Sequence, residues 1–295
     1  MKINRRNFIK SSIFTTLYLT GFGLPIHASS KDKKNLIIIM LRGGMDGLCS
    51  LPIKGDKEFE KLRSKINLDK TLPLTSDFDL HPVLEHFHAL WSENKASAIH
   101  ATSIPYTGRS HFDGQNLMES GGLTPYKTKT GWLGRGMKIA NLEANGLALA
   151  LPMPLLLRGV PQNDNYFPSR GKLPTKQILN VLQSIYKESS EKELLSMLEI
   201  IQKRSSINSY GKSSRDNTSL AYEAGEKLKN PNGPRVAVFE VDGFDTHAAQ
   251  GATNGAHADC LGETDSILGA LRSSMRETFN NTLVLTLTEF GRTLK

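Results

Sequence analysis

Four acidic or imidazole side chains stand just past apolar runs, and their types could hold a divalent cation or move a proton. Asp46 lies in Arg42-Gly43-Gly44-Met45-Asp46-Gly47, directly after the apolar run Leu36–Leu41. Asp245 and His247 lie in Asp242-Gly243-Phe244-Asp245-Thr246-His247, after Arg235–Val241. Glu289 opens Glu289-Phe290-Gly291-Arg292-Thr293, after Thr282–Thr288. Carboxylate and imidazole together suit zinc, manganese, iron or magnesium and argue against a thiolate site. Asp-x-His on extended or turn backbone can aim both side chains one way, because side-chain direction recurs with a period of two. Each group also has a purely structural reading. Asp46 could be a turn aspartate, Asp245 and His247 a hydrogen-bonded pair, and Glu289 with Arg292 a simple ion pair.

A further set lies at Thr107-Gly108-Arg109-Ser110-His111-Phe112-Asp113. The pattern predicts a helix from His111 to Glu119, ended by Gly121-Gly122, with Ser110 as its N-cap. A helix N-terminus presents free N–H groups to an anion such as phosphate or sulfate, and Arg109 and His111 flank it. Ser110 could equally do nothing but cap the helix.

The elements that must position these groups are three short apolar runs, each too short for an ordinary helix and rich in β-branched residues. They read as buried strands of a parallel sheet, which would gather their carboxyl ends along one rim. Helices are predicted at Lys57–Lys65, Val83–Trp91, Gly131–Glu143 and Ala256–Phe279, and a short strand at Lys95–Ala101. Leu147–Leu157 reads as one or two strands split by Pro152 and Pro154, and 162–174 as a polar loop. Residues 175–229 read as a lysine-rich helical insertion or cover. His81, His86 and His88 read as capping or surface residues.

The net charge of +8 is partly confined to residues 1–28, which hold Lys2, Arg5, Arg6 and Lys10 and no acid. Removing them leaves 33 basic against 29 acidic residues, too balanced and too dispersed for a nucleic-acid partner. Cys49 and Cys260 lack metal-type spacing and could pair in an oxidising compartment. Asn4-Arg5-Arg6-Asn7-Phe8-Ile9-Lys10 resembles a twin-arginine export signal, followed by a modestly apolar stretch and a cleavage site after Ala28. That stretch is too short and polar for a stable membrane span. An amphipathic N-terminal helix or an uncleaved anchor is the alternative. The signal reading implies contact with the twin-arginine translocation machinery and a periplasmic or otherwise exported, bacterial protein.

Taken in order, the Arg42–Gly47, Arg109–Asp113, Gly243–His247 and Glu289–Thr293 motifs resemble the exported family called domain of unknown function 1501. That family is grouped with alkaline-phosphatase-like proteins. The resemblance implies a three-layer α/β/α alkaline-phosphatase-like core over residues 29–295, incomplete at the C-terminus. Relatives continue to a Gly-Thr-Asp-His-Gly stretch, whereas nothing follows Lys295. It also implies hydrolysis of phosphate or sulfate esters with divalent metal ions. Asp46, Asp245, His247 and Glu289 would be metal ligands, and Ser110 the nucleophile, with Thr107 behind it. Arg109 or Arg42 would hold the anion, and His111 would assist. The second reading, from another class, is a non-catalytic exported protein that binds or assembles at the cell surface. A nucleotide-binding Rossmann domain fits less well, because Gly43-Gly44-Met45-Asp46-Gly47 lacks the G-x-G-x-x-G spacing.

Overall fold

Six consecutive apolar residues cannot face water on either side of a sheet, so Leu36–Leu41 calls for cover on both faces. A computed structural model describes residues 33–64, 66, 68–142, 145–149, 152–160, 163–166, 176–186, 195–196, 198 and 216–294. The export-signal reading at residues 1–28 and most of the 187–215 stretch lie outside the described residues. Asn35–Lys295 forms one compact unit. Among the described residues no helix is long and apolar enough to cross a membrane.

In chain order the elements are β1 (Asn35–Leu41), α1 (Gly47–Ser50), α2 (Lys57–Leu62), β2 (Leu72–Pro73), β3 (Asp79–Leu80) and α3 (Glu85–Ser92). Then come α4 (His111–Ser120), α5 (Trp132–Ile139), β4 (Gly146–Leu149), β5 (Asp164–Tyr166), α6 (Lys176–Tyr186) and α7 (Asn217–Lys229). The last are β6 (Val236–Val241), α8 (Ala256–Met275) and β7 (Thr282–Thr288). A five-stranded parallel sheet runs β5-β4-β6-β1-β7, while β2 and β3 form a separate antiparallel pair. In the sheet β1 is flanked on both sides, with Ile38 opposite Val238 of β6 and Leu285 of β7.

Alternation along β1 sends its side chains into two cores. Ile37, Ile39 and Leu41 pack with Phe239, with Leu220, Ala224 and Leu228 of α7, and with Leu261, Ile267 and Leu271 of α8. Ile38 and Met40 pack on the other face with Met118 of α4, and with Leu133 and Met137 of α5. Helices therefore cover both faces of a mixed α/β sheet. Each fully buried side chain of this size contributes about 1.5–3 kcal/mol, so β1 anchors both layers.

Several expectations change. Lys95–Ala101 forms no strand: Ile99 is 80% exposed, and β1 already has both neighbours. Inside the predicted loop, Asp164–Tyr166 adds β5 at the sheet edge, where polar residues are tolerated. Among the described residues of Leu147–Leu157, β4 is the one strand, and the end of the stretch is a single 3-10 turn. Helix α7 belongs to the core layer, since Leu220, Ala221, Ala224 and Leu228 are buried against the sheet. His81 is fully buried, its Nε2 2.9 Å from the Ala252 carbonyl. Both cysteines are free thiols.

Helices α7 and α8 meet where Gly225 faces Ser274; a Cβ on Gly225 would lie 1.9 Å from Ser274 Oγ. Gly225→Ala should therefore destabilise the fold by about 1–3 kcal/mol through overpacking. Gly136 in α5 has open space around it, so Gly136→Ala should stabilise by about 0.5–1 kcal/mol. Denaturant midpoints at constant slope would check both signs.

Candidate functional site at the strand ends

Because β6, β1 and β7 are adjacent and parallel, the loops that follow them run side by side. The β1 loop continues the pairing with β6: Arg42 N–H donates to the Val241 carbonyl at 2.8 Å, and Phe244 N–H to the Arg42 carbonyl at 3.2 Å. Gly43 has φ +110°, and a Cβ there would lie 2.3 Å from the Asp245 nitrogen. Only glycine permits both that conformation and that approach. On the β7 side, Met45 N–H donates to Thr288 Oγ1 at 3.0 Å.

Glu289 sits at the centre, with 0% of its surface exposed. Its Oε1 accepts the Gly43 N–H at 2.9 Å and Gln115 Nε2 at 3.1 Å, and lies 2.8 Å from His111 Nδ1. A buried carboxylate must be hydrogen-bonded in this way, because leaving it unpartnered would cost several kcal/mol. The other nitrogen of His111, Nε2, is 3.2 Å from Asp245 Oδ1. His247 Nε2 is 2.9 Å from Asp245 Oδ2, and Arg292 Nη1 donates to Asp245 Oδ1 at 2.9 Å. Burial alone would raise the Asp245 carboxyl, but Arg292 and the two imidazoles outweigh it and hold the pKa below its ordinary value. His247 has φ +31° and is the most open member, 78% exposed. Glu289, His111, Asp245 and His247 thus form one unbroken line from the core to solvent.

Asp46 has a different role. It caps α1, accepting the Leu48 and Cys49 N–H groups, each at 3.2 Å. Arg63 grips its carboxylate through Nη1 at 2.5 Å and Nη2 at 3.3 Å, and Gln250 Nε2 donates to it at 2.9 Å. Burial raises its carboxyl, but these hydrogen bonds and the Arg63 charge win and lower it. Asp46 is 1% exposed.

Ser110 caps α4: its Oγ accepts the Asp113 N–H at 3.3 Å, and its own N–H donates to the Tyr106 hydroxyl at 3.2 Å. Arg109 and Thr107 are exposed. Arg42 does not face an anion site. Its guanidinium pairs with Glu119 at 2.8 Å and with Glu240, which more than offset the lowering by burial and raise its pKa.

Among the described residues, no group of three or more His, Cys, Asp or Glu stands with metal-shell spacing; the contacts above are hydrogen bonds and ion pairs. Donor chemistry still separates the candidates. Asp46 does not fit a cation, since it is sealed from solvent and Arg63, Gln250 and two backbone N–H groups already occupy both its oxygens. His111, Asp245 and His247 suit a cation better, being imidazole and carboxylate donors in mutual contact and open to solvent at His247, with Arg292 on one Asp245 oxygen only. Metal-ligating histidines characteristically give their second nitrogen to a carboxylate, as His111 gives Nδ1 to Glu289.

Arg63, Gln250 and Gln115 escaped the sequence reading. Gln115 was recoverable, standing one helical turn after His111 on the same face of α4. Gln250 follows the Asp-x-His motif closely, whereas nothing around Arg63 marks it.

A family model described as Protein of unknown function (DUF1501) matches residues 91–295. That span includes Ser110, His111, Asp245, His247 and Glu289, and begins after Asp46. No curated protein and no solved structure matches.

Asp46→Asn should leave the buried Arg63 charge uncompensated and cost about 3–5 kcal/mol in denaturant unfolding. His257, in the first turn of α8, is fully buried with both ring nitrogens unpartnered. Burial, aided by His81, Arg63 and Arg292 and opposed by Asp46, pushes its pKa down to about 4. The unfolded imidazole takes its proton near 6.5, the folded one only near 4. The unfolded state therefore binds more protons in that window, and stability falls as pH drops through it, by up to roughly 3 kcal/mol. His257→Leu should flatten that slope in a pH series of urea melts.

Proposed function

The chain belongs to the DUF1501 family, and on that premise we propose that it is an exported, metal-dependent hydrolase of phosphate or sulfate esters with an alkaline-phosphatase-like core. The observation that carries this reading is the continuous line from buried Glu289 through His111 to Asp245 and His247 at the carboxyl ends of parallel strands. Ligands of open α/β sheets bind at that rim.

Asp245, His247 and His111 Nε2 would hold the divalent cation, whose contribution when bound is Lewis acidity toward a phosphoryl or sulfuryl oxygen. Glu289 fixes the ring of His111 by accepting at Nδ1, so that Nε2 faces Asp245. Arg292, 17% exposed and held on Asp245, brings positive charge to the substrate anion, and the exposed Arg109, next to Ser110 in the chain, would add more. Ser110, at the N-terminus of α4, is the candidate nucleophile, where the free N–H groups favour an anion. In the net reaction water adds to phosphorus or sulfur, the ester P–O or S–O bond breaks, and the alcohol leaves with a proton. The twin-arginine signal at residues 1–28 would deliver the chain to the periplasm through the twin-arginine translocation machinery.

One observation favours the second reading, a non-catalytic binding or assembly protein. Asp46 is spent on Arg63 and Ser110 Oγ on its cap, so fewer groups are free for chemistry.

Metal analysis of the purified protein, followed by turnover of aryl phosphates and aryl sulfates, separates the readings. The hydrolase should retain a divalent metal and turn over one ester class. His111→Ala should lower kcat/KM by about 10²–10⁴, and Glu289→Gln should lower metal affinity or activity by about 10–100-fold. Bound metal without turnover supports the binding protein, and a chain with neither sinks the hydrolase.

A further inference from the structure

The line of charged groups opens beside a cluster of aromatic rings. Phe290 lies 4.6 Å from the His111 ring and stacks on Tyr106 at 6.5 Å, with 23° between the planes. The Tyr106 hydroxyl donates to Asp113 Oδ2 at 3.3 Å, and the Tyr126 phenol lies beside the same carboxylate, where desolvation and that charge raise its pKa. Tyr126 is 49% exposed and has φ +62°, a conformation that bulky residues rarely adopt. Its N–H donates to Asn116 Oδ1 at 2.7 Å, which holds the turn that presents the ring. Phe112, directly after His111, is 78% exposed. Strained backbone that displays an aromatic ring beside charged groups points to a ligand contact, because such strain persists only where surrounding structure enforces it.

The rim has two chemical characters at once. Its ring faces are apolar, while two phenol hydroxyls and the Asp113 carboxylate interleave them. A pyranose has the complementary pair, a C–H face that lies on an aromatic ring and a girdle of hydroxyls that donate to a carboxylate. A flat aryl group would use the ring faces alone, whereas the half-buried Asp113 carboxylate, with about four acceptor sites, can take a sugar hydroxyl besides the Tyr106 phenol. We propose that this rim is a subsite for a sugar ring, so that the ester brought to His111 and Asp245 is carried by a carbohydrate. The proposal rests on the hydrolase reading for the ester, but the ring subsite stands without it.

Saturation-transfer NMR on the full chain tests the subsite with glucose 6-phosphate, glucose 6-sulfate and unesterified glucose, and with p-nitrophenyl phosphate as the aryl control. Ring C–H protons of the sugars should receive saturation. The double variant Phe112→Ala/Tyr126→Ala should weaken sugar binding by about fivefold or more, with far-UV circular dichroism unchanged. Sugar saturation without metal or turnover would sink the hydrolase and keep the subsite. Aryl turnover without sugar saturation would overturn the subsite alone, as would a double variant that binds sugars as well as the parent chain.

Discussion

A carboxylate with no access to water must find its hydrogen-bond donors within the protein, and Glu289 finds three on two other segments. Gly43 supplies one from the loop after β1, and His111 and Gln115 supply two from α4. The bonds join the end of β7, the end of β1 and the start of α4. They set the ring of His111 and, through it, its approach to Asp245. Gly43 completes the arrangement from below, since any side chain there would collide with the Asp245 backbone. The geometry of the rim is thus a consequence of satisfying one buried charge.

The remaining charges sort by how fully they are neutralised. Arg42 is held between Glu119 and Glu240, and Asp46 between Arg63, Gln250 and the first turn of α1. Both sets are sealed and structural, and breaking either would leave an uncompensated charge in the interior. Asp245 is less saturated. It is partly exposed, shared among Arg292, His111 and His247, and its second oxygen faces only an open imidazole. Chemistry is therefore expected around Asp245 and away from Asp46, although the two look alike along the chain.

Legibility followed physical cause closely. The continuous apolar runs of β1 and β6 were readable because strands buried on both faces admit no polar alternation. By contrast β7, expected to be buried as well, lies at the sheet edge and is only partly covered, with Leu283 exposed. Ser110 as a cap and α8 as a long helix were readable from local rules alone. Lys95–Ala101 misled because a short, modestly apolar segment becomes a strand only if a sheet edge is open to it. The polar Asp164–Tyr166 is the converse case: it joins the sheet because β4 offers an edge. His81 looked like a surface residue because helix caps usually are, yet Ala252 arrives from far along the chain to cover it.

Residue types and order alone determined that three strands end in acid- and glycine-bearing loops, and that His111 opens a helix beside Ser110. Those facts depend on short-range propensity and hydrophobic patterning, which act within a few residues. Only the tertiary structure decided which acids are spent and which are open. That outcome depends on Arg63 reaching Asp46, and on Gly43, Gln115 and His111 reaching Glu289. Such long-range pairings follow from strand order and from the need to compensate buried charge, and neither is written at any single position in the chain.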